Sequence, residues 1–265
     1  MIIDTHAHYD DEAFNDDRDE LLRGLNEKNI ELVVNASANI KECEATLKLM
    51  DKYPFVYGMI GVHPSEVGEL DEKKFEWMKN ICIEKSVLSG GKVVSVGEIG
   101  LDYYYEDTRK EEQKIWFERQ IELAREVKLP INIHSRDAAK DTLDILKEHK
   151  ASEIGGIVHC YSYSKEVARD ILDMGFLFGI GGVVTFKNAK KLVEVVEFLP
   201  IEAIVLETDC PYLAPVPFRG QRNDSGNLNL VAEKIAEIKE MSIEEVIART
   251  SENARKVYRI NANVR

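Results

Sequence analysis

Eight short apolar runs alternate along the chain with segments that have the spacing of amphipathic helices. The runs are rich in valine and isoleucine and almost continuously apolar, which is typical of strands buried on both faces of a parallel sheet. In one of the intervening segments, Trp116, Gln120 and Ala124 recur every fourth residue, as on the buried face of a helix. The eight runs are MIIDTHAH, ELVVNAS, FVYGMIGVHP, KVVSVGEIG, LPINIHSR, IGGIVHC, FLFGIGGVVT and AIVLETDCP.

This alternation predicts the fold class. A strand followed by a helix and then by another strand favours parallel pairing through right-handed crossovers. Eight such units in 265 residues fit an α/β protein with a (β/α)8 TIM barrel, and we expect residues 1–265 to form a single barrel domain. An open, doubly wound sheet is the alternative, but no G-x-G-x-x-G or Walker sequence follows any predicted strand.

The charge and the cysteine content argue against several kinds of protein. A net charge of −13 argues against a broad electrostatic grip on nucleic acid, so an anionic substrate would need local positive charge. The four cysteines show no C-x-x-C spacing, which argues against a disulfide framework or a thiolate zinc site. No apolar run approaches the roughly 18 residues of a membrane span and the first residues do not resemble a secretory signal, so we expect a cytoplasmic protein with no membrane partner.

Five of the six histidines fall at the predicted C-terminal ends of strands, whereas His149 lies in a predicted helix. In a TIM barrel all strands deliver this end to one rim, so residues that are distant in sequence converge there. Glu98 and Asp209 occupy the same position on the fourth and eighth predicted strands. The five histidines are His6, His8, His63, His134 and His159.

This ring of imidazoles and carboxylates indicates a metal site at the C-terminal rim. Neutral imidazoles and carboxylates are ligands for divalent ions, and magnesium, manganese and zinc are the candidates. Because six ligands exceed the needs of one tetrahedral ion, we expect two ions about 3.5–4 Å apart. The predicted ligands are His6, His8, Glu98, His134, His159 and Asp209.

Several neighbours of these ligands have open roles. We favour a substrate contact for His63, with metal ligation and simple packing as alternatives. Asp4 could orient a ligand or cap nearby backbone, and Glu207 could support a ligand or form a structural ion pair. Cys160 and Cys210 lack a pattern that would activate a thiolate, so we interpret them as packing residues.

A second group of residues is predicted to contact the substrate. Tyr103 begins a run of three tyrosines that could stack on a base or pack beneath a loop. Arg136, Arg219 and Arg222 lie in segments expected to approach the rim, where arginine suits bidentate contacts to phosphate. Surface ion pairs are the alternative for each of them.

Seven motifs spread over essentially the entire chain carry a family resemblance. H-x-H alone also opens other amidohydrolase-like barrels, but seven motifs in the same order are specific. In these motifs the chain resembles the TatD family of metal-dependent deoxyribonucleases. The motifs are IIDTHAHYD, GVHP, GEIGLDYY, PINIHSRDA, GGIVHCY, GFLFGIGG and LETDCPYLAPVPFRG.

The resemblance implies a two-metal TIM barrel that acts as a 3′-to-5′ exonuclease on a single strand or a 3′ end of DNA, with no obligate protein partner evident. The ligands would divide into His6, His8 and Asp209 for one ion and His134 and His159 for the other, with Glu98 as the bridge. The chain departs from the family pattern at Tyr9, where leucine or phenylalanine is usual, and at Asp224 and Ser225, which replace a usual Glu-Pro.

The predicted mechanism relies on the metals. A carboxylate acting alone as a general base supplies about 10²–10⁴-fold, too little for a phosphodiester, whose uncatalysed hydrolysis is very slow. Metal coordination lowers the pKa of water to about 7. We expect a metal-activated water, oriented or deprotonated by Asp209, to attack the phosphorus, with Asp209 and Glu98 as the catalytic residues.

Two other classes of function remain open. One is a hydrolase of the same fold acting on an amide or ester, such as an aminoacyl-nucleic-acid ester, because activated water also attacks carbonyl carbon. The other is a metal-binding or interaction protein without catalysis. The second class would be indicated by a missing rim ligand, and none of the six is missing.

Overall fold

The strands form a ring of eight, each paired in parallel with the next along the chain, so the predicted (β/α)8 TIM barrel is confirmed. The computed structural model describes residues 1–105 and 109–260. The strands are β1 (Ile2–Ala7), β2 (Ile30–Asn35), β3 (Val56–Ile60), β4 (Val93–Asp102), β5 (Ile131–Arg136), β6 (Gly156–Val158), β7 (Leu177–Ile180) and β8 (Ile204–Leu206).

The ring closes where β8 meets β1. Because β8 is short, the seam is made by the residues that follow it, with a parallel bridge between Ala7 and Cys210. The amide of Asp209 donates to the carbonyl of His6 at 2.9 Å, and the amide of His8 donates to the carbonyl of Cys210 at 2.8 Å. Closure of the barrel therefore brings Asp209 beside the two histidines of the first strand.

Helices follow the strands around the outside of the ring. They are α1 (Arg18–Gly24), α2 (Ile40–Lys52), α3 (Glu72–Lys85), α4 (Lys110–Val127), α5 (Ala139–Glu148), α6 (Lys165–Asp173), α7 (Lys190–Phe198), α8 (Leu228–Lys239) and α9 (Ile243–Tyr258). The start of α9 is capped by Ser242, whose side chain accepts a hydrogen bond from the amide of Glu245. Within the described ranges, no helix has the length and apolar character needed to cross a membrane.

The apolar core has two parts. The larger part lies between the strands and the outer helices. The smaller part takes alternate strand residues, such as Leu32 and Val34 of β2 and Tyr57 and Met59 of β3, and therefore fills the barrel interior.

The last helix, α9, lies across the N-terminal ends of the strands. The Ser251 hydroxyl donates to the carbonyl of Met1 at 3.0 Å, and the Asn253 amide donates to the carbonyl of Ile204 at 2.8 Å. Tyr258 belongs to the interior cluster and is 1% exposed. This end of the barrel is closed by a helix, so the opposite rim is the one left open to a ligand.

Two features differ from a simple reading of the eight runs. The end of the seventh run, Gly182–Thr185, forms a short 3-10 helix instead of continuing the strand. The pairing of β1 shifts register between Asp4 and Ala7, and that of β4 shifts between Val96 and Ile99. Such shifts change which side chains face the interior, because strand side chains alternate strictly only in regular pairing.

Candidate metal centre

The six predicted ligands meet at the C-terminal rim of the barrel. They come from five strands or from residues immediately beyond them, and most of their surface is buried. The placements are His6 in β1, His8 directly after it, Glu98 in β4, His134 in β5, His159 directly after β6 and Asp209 three residues after β8.

One group of donor atoms, which we call the first position, consists of His6, His8 and Asp209. Nε2 of His6 lies 3.2 Å from Nε2 of His8. Oδ1 of Asp209 lies 3.3 Å from Nε2 of His8 and 3.8 Å from Nε2 of His6. One donor atom from each residue falls within 4.8 Å of the others, so a single cation could contact all three.

The second position consists of Glu98, His134 and His159. Oε1 of Glu98 lies 2.7 Å from Nδ1 of His134 and 2.7 Å from Nε2 of His159. These two nitrogens are 3.2 Å apart. The two imidazoles therefore turn different ring nitrogens toward the same carboxylate oxygen.

Glu98 connects the two positions. Its other oxygen, Oε2, lies 3.3 Å from Nε2 of His6 and 3.8 Å from Nε2 of His8. Ring nitrogens of four imidazoles and oxygens of two carboxylates are thus directed into one small volume. This donor set fits divalent cations, for which imidazole nitrogen and carboxylate oxygen are suitable ligands.

The electrostatics of the centre separate charged groups from neutral ones. Burial raises the pKa of Glu98, but the nearby histidines, His159 and His6 foremost, outweigh burial and hold that pKa well below its usual value. Burial lowers the pKa of His8, but Asp209 and Glu98 outweigh it and raise the pKa to about 10. In contrast, burial and the neighbouring His6 lower the pKa of His159 to about 4.

Two further rim histidines, His134 and His63, differ in the same way. Burial lowers the pKa of His134, but hydrogen bonds to Asp102 and Glu98 outweigh it and raise the pKa to about 9. Burial and the neighbouring His134 lower the pKa of His63 to about 3. His63 is therefore neutral at physiological pH, and its ring can accept or donate a hydrogen bond.

Two cavities open on the centre. A cavity of about 260 Å³ is lined by all of the predicted ligands except His6, together with the acids Asp10, Asp11 and Glu42. A second cavity of about 360 Å³ is lined by Arg136 and has His134, His159 and Asp209 at its inner side. Tyr212 borders both cavities and is 54% exposed.

The predicted substrate contacts are placed unevenly around these cavities. His63 lines the first cavity, with Nε2 at 3.6 Å from Oε1 of Glu98. Arg136 lines the second, with its guanidinium 3.5 Å from the centre of the Tyr104 ring. Arg219, in the loop beyond β8, has its guanidinium 4.2 Å from the centre of the ring of Phe186, which belongs to the loop after β7.

Two of the predicted contacts are engaged elsewhere. Arg222 donates to Oδ1 of Asp17 at 2.8 Å and to the carbonyl of Ala13 at 2.7 Å. The hydroxyl of Tyr103 donates to Oδ2 of Asp141 at 2.9 Å. In the described chain neither residue lines either cavity, and Tyr103 corresponds to the packed alternative for the tyrosine run.

The roles left open for the remaining residues are now clearer. The Asp4 carboxylate accepts from the Thr208 amide and hydroxyl and from the Ser225 hydroxyl, so it ties β1 to the loop after β8. Ser225 is one of the residues at which the chain departs from the family pattern. Its hydroxyl also lies 2.8 Å from that of Tyr9, where the chain departs from the pattern as well. Burial raises the pKa of the Cys210 thiol well above its usual value, in agreement with a packing role.

Some residues at the centre were not identified from the sequence. Oδ2 of Asp102 lies 3.1 Å from Nε2 of His134, and Oδ1 of Asn132 lies 3.0 Å from Nδ1 of His6. Asp102 stands at the end of β4, the same signal that marked the other acids. Asn132 precedes His134 by two residues and shares its strand face, so alternation could have marked it.

Comparisons with known proteins agree with this geometry. The family model described as TatD related DNase matches residues 3–259. The chain is 42% identical over 261 residues to the uncharacterized metal-dependent hydrolase YabD of Bacillus subtilis, covering 98% of this chain and 100% of that protein. It is 31% identical over 264 residues to the human deoxyribonuclease TATDN3, covering 97% and 94% of the two chains.

A solved structure shows the same architecture. The crystal structure of YjjV, a TatD homologue from Escherichia coli K12, superimposes with a TM-score of 0.91 at 27% identity and covers 98% of each chain. The fold, the convergent histidines and these relatives lead to one conclusion: the chain belongs to the TatD-related DNase family and is a metal-dependent hydrolase.

Proposed function

We propose that this hydrolase is a deoxyribonuclease that removes nucleotides from the 3′ end of single-stranded DNA with two divalent ions per chain. The main support is Glu98, whose two oxygens face different pairs of imidazoles, as two neighbouring cations require. The family description and the name of the human relative support DNA as the substrate class.

The ions, with magnesium, manganese and zinc as candidates, supply activated water at neutral pH and neutralise charge on the phosphate when they are bound. In the proposal the ligands are His6, His8 and Asp209 at the first position and His134 and His159 at the second, with Glu98 shared. Asp209 also accepts a proton from the attacking water. Burial raises its pKa, but the hydrogen bond and charge of His8 outweigh burial and keep the carboxylate ionised.

The two cavities suggest how a DNA strand approaches. Asp10, Asp11 and Glu42 line the first cavity, where their charges would repel a continuing phosphate chain. Arg136 lines the second cavity, where its guanidinium can bind a phosphate. The ring of Tyr104 can hold this guanidinium in place. A strand that can extend on only one side of the metals would be bound by an end, which supports exonuclease action over internal cleavage.

The remaining substrate contacts stay predictions of unequal support. His63 and Arg136 line the cavities, so they are the better supported members of the set. Arg219 lies in the loop beyond β8, and Arg222 and Tyr103 already have protein partners. A single metallohydrolase domain over residues 1–265, a cytoplasmic location and the lack of an obligate protein partner likewise stay predictions from the sequence.

The decisive experiment uses protein freed of metal by chelation and then given magnesium, manganese or zinc one at a time. Each sample is assayed on single-stranded DNA labelled at the 3′ end, on the same strand labelled at the 5′ end, and on an acyl ester. We expect metal-dependent release of mononucleotides from the 3′ end, seen as immediate loss of the 3′ label and gradual shortening of the 5′-labelled strand.

Asp209→Asn supplies the negative control, because it keeps the size of the side chain and removes the proton acceptor. Cleavage of the acyl ester alone, with DNA left intact under every metal, would refute the nuclease. Internal fragments appearing before any mononucleotide would keep the nuclease and refute the exonuclease.

A further inference from the structure

Three of the four ligand imidazoles have a buried polar side chain beside the ring nitrogen that faces away from the other donors. His6 has Asn132, His134 has Asp102 and His159 has Glu207. These three partners are 0%, 6% and 1% exposed. An imidazole that gives one nitrogen to a cation carries its proton on the other, and that N–H needs an acceptor.

The proton on His6 is fixed by a chain of hydrogen bonds from the far end of the barrel. The Tyr258 hydroxyl of α9 donates to the carbonyl of Thr5 at 3.0 Å, so it must accept from the Asn132 amide nitrogen, 3.1 Å away. Asn132 then presents its oxygen to Nδ1 of His6 at 3.0 Å. His6 must donate from Nδ1, which leaves the lone pair of Nε2 facing His8 and Glu98.

The proton on His134 is fixed by Asp102. Nδ1 of His134 faces Glu98, so with a cation on Nδ1 the ring keeps its proton on Nε2 and donates it to Oδ2 of Asp102 at 3.1 Å. His63, Asp102 and His134 could also be taken for a further cation site, since their donor atoms lie within 4.8 Å of one another. That assignment would require one imidazole to be shared between two ions, whereas an acceptor role for Asp102 leaves the ring neutral.

Glu207 lies behind His159 as Asp102 lies behind His134, but the carboxyl group and the imidazole are too far apart for a hydrogen bond. Nδ1 of His159 and Oε2 of Glu207 are the buried side-chain atoms that lack a hydrogen-bond partner in the described chain. Oε1 of Glu207 lies 3.9 Å from Nδ1 of His159 and accepts from the amide of Cys160. A Cβ atom at Gly179 of β7 would collide with Oε2, so this glycine makes room for the carboxyl group.

We propose that Asp102 and Glu207 are positioning residues for the second metal position, and that Asn132 is the positioning residue for the first. The inference rests on the proposed two-metal centre and extends it. The second position is held by two imidazoles that each have a buried carboxyl group behind them, whereas His6 of the first position has a neutral amide. Removing either carboxyl therefore weakens binding at the second position and leaves the first unchanged.

The test uses the full-length protein, freed of metal and titrated with cobalt(II), whose visible absorption reports the ligands at each position. His159→Ala and His8→Ala provide single-position backgrounds, in which only the first or only the second position can fill. Glu207→Gln and Asp102→Asn are then placed in each background. These substitutions remove an acceptor because the backbone amides of Cys160 and Tyr104 keep the one remaining oxygen, and the new NH2 group cannot accept a hydrogen bond. Bound metal is counted by elemental analysis after dialysis.

We expect each carboxyl substitution to weaken cobalt binding about 10–100-fold in the His8→Ala background and to leave it unchanged in the His159→Ala background. Asn132→Leu should show the reverse pattern, and Asn132→Asp, which keeps an acceptor for His6, should restore the affinity. Circular dichroism and melting of the metal-free variants identify any that fail to fold. If Glu207→Gln fails to fold, the variants Asp102→Asn, Asn132→Leu and Asn132→Asp still test the proposal.

Unchanged affinity, equal losses in both backgrounds, or a third equivalent of cobalt lost with Asp102→Asn would each overturn the proposal. DNA hydrolysis is measured on the same samples. A protein with the expected cobalt pattern and no action on DNA would refute the proposed function alone. A protein that degrades DNA while its cobalt affinities ignore these substitutions would refute the positioning roles alone.

Discussion

At the N-terminal end of the barrel α9 lies across the strands, and its buried polar groups are paired with backbone carbonyls. At the C-terminal end, the six side chains proposed as ligands lie close together, and the buried Nδ1 of His159 has no partner in the described chain. The buried polar groups named at the N-terminal end therefore find partners within the chain, whereas the Nδ1 of His159 at the C-terminal end does not. Stability and chemistry should accordingly respond to different substitutions.

Asp209→Asn should produce the largest effect, and at the rim alone. Loss of the proton acceptor, which is also a ligand of the first position, should lower DNA hydrolysis by about 10²–10⁴-fold. The melting temperature of the metal-free protein should change little, because this carboxylate holds together ligands and not the core. Steady-state kinetics and thermal melting of the same preparation test both statements, and full activity with bound metal would contradict the assignment.

Met59→Ala should lower stability and leave the rate of hydrolysis unchanged. Met59 is fully buried in the barrel interior, and truncating a core methionine costs about 2–5 kcal/mol of unfolding free energy. Denaturant unfolding measures this loss. At a temperature where the variant is folded, the rate per metal-loaded chain should match that of the parent. A rate that falls in proportion to the lost stability would mean that the two ends are not separable.

Tyr258→Phe should act on both ends at once. Without the hydroxyl, the carbonyl of Thr5 and the amide of Asn132 lose a buried partner, at a cost of about 1–3 kcal/mol. Asn132 can then turn its amide, so metal binding at the first position should also weaken. Denaturant unfolding and cobalt titration are the measurements. Lower stability with unchanged cobalt affinity would show that the hydrogen bonds of Tyr258 do not influence metal binding through His6.

His149→Ala should have the smallest effect. His149 follows α5, and its Nδ1 lies 2.8 Å from Oε1 of the exposed Glu122, a surface pair worth about 0–1 kcal/mol. Hydrolysis and metal content should equal those of the parent. His63→Ala is the matched variant at the rim and should raise KM for DNA. Equal kinetic effects of the two substitutions would deny His63 a contact with the substrate.

The fold and the convergence of the candidate ligands at one rim were predictable from the sequence for a physical reason. Parallel strands buried on both faces leave a continuous apolar signature, and a histidine or acid at the end of such a run stands out. His6, Glu98 and Asp209 were found in this way, without knowledge of any contact between them. The barrel topology then converts a shared position along the strand into proximity at one rim.

The neighbours of the ligands were not predictable in the same way. The sequence left Asp4 to orient a ligand or to cap backbone, whereas in the structure its carboxylate accepts from the amide and hydroxyl of Thr208 and from the hydroxyl of Ser225. The ion pair of Arg222 with Asp17 joins residues more than 200 positions apart. Such contacts depend on the final packing of loops, for which no local pattern exists.

The hydrogen bonds from Tyr258 through Asn132 to His6 also bear on how the protein is made. Tyr258 lies more than 250 positions after His6, so it is synthesised after all eight strands. A nascent chain that has reached Asp209 contains every proposed ligand, but without Tyr258 nothing orients the Asn132 amide, and His6 is free to hold its proton on either nitrogen. Docking of α9 would therefore fix the proton of His6, and so complete the proposed first position, only after the strands that carry the other proposed ligands have been made.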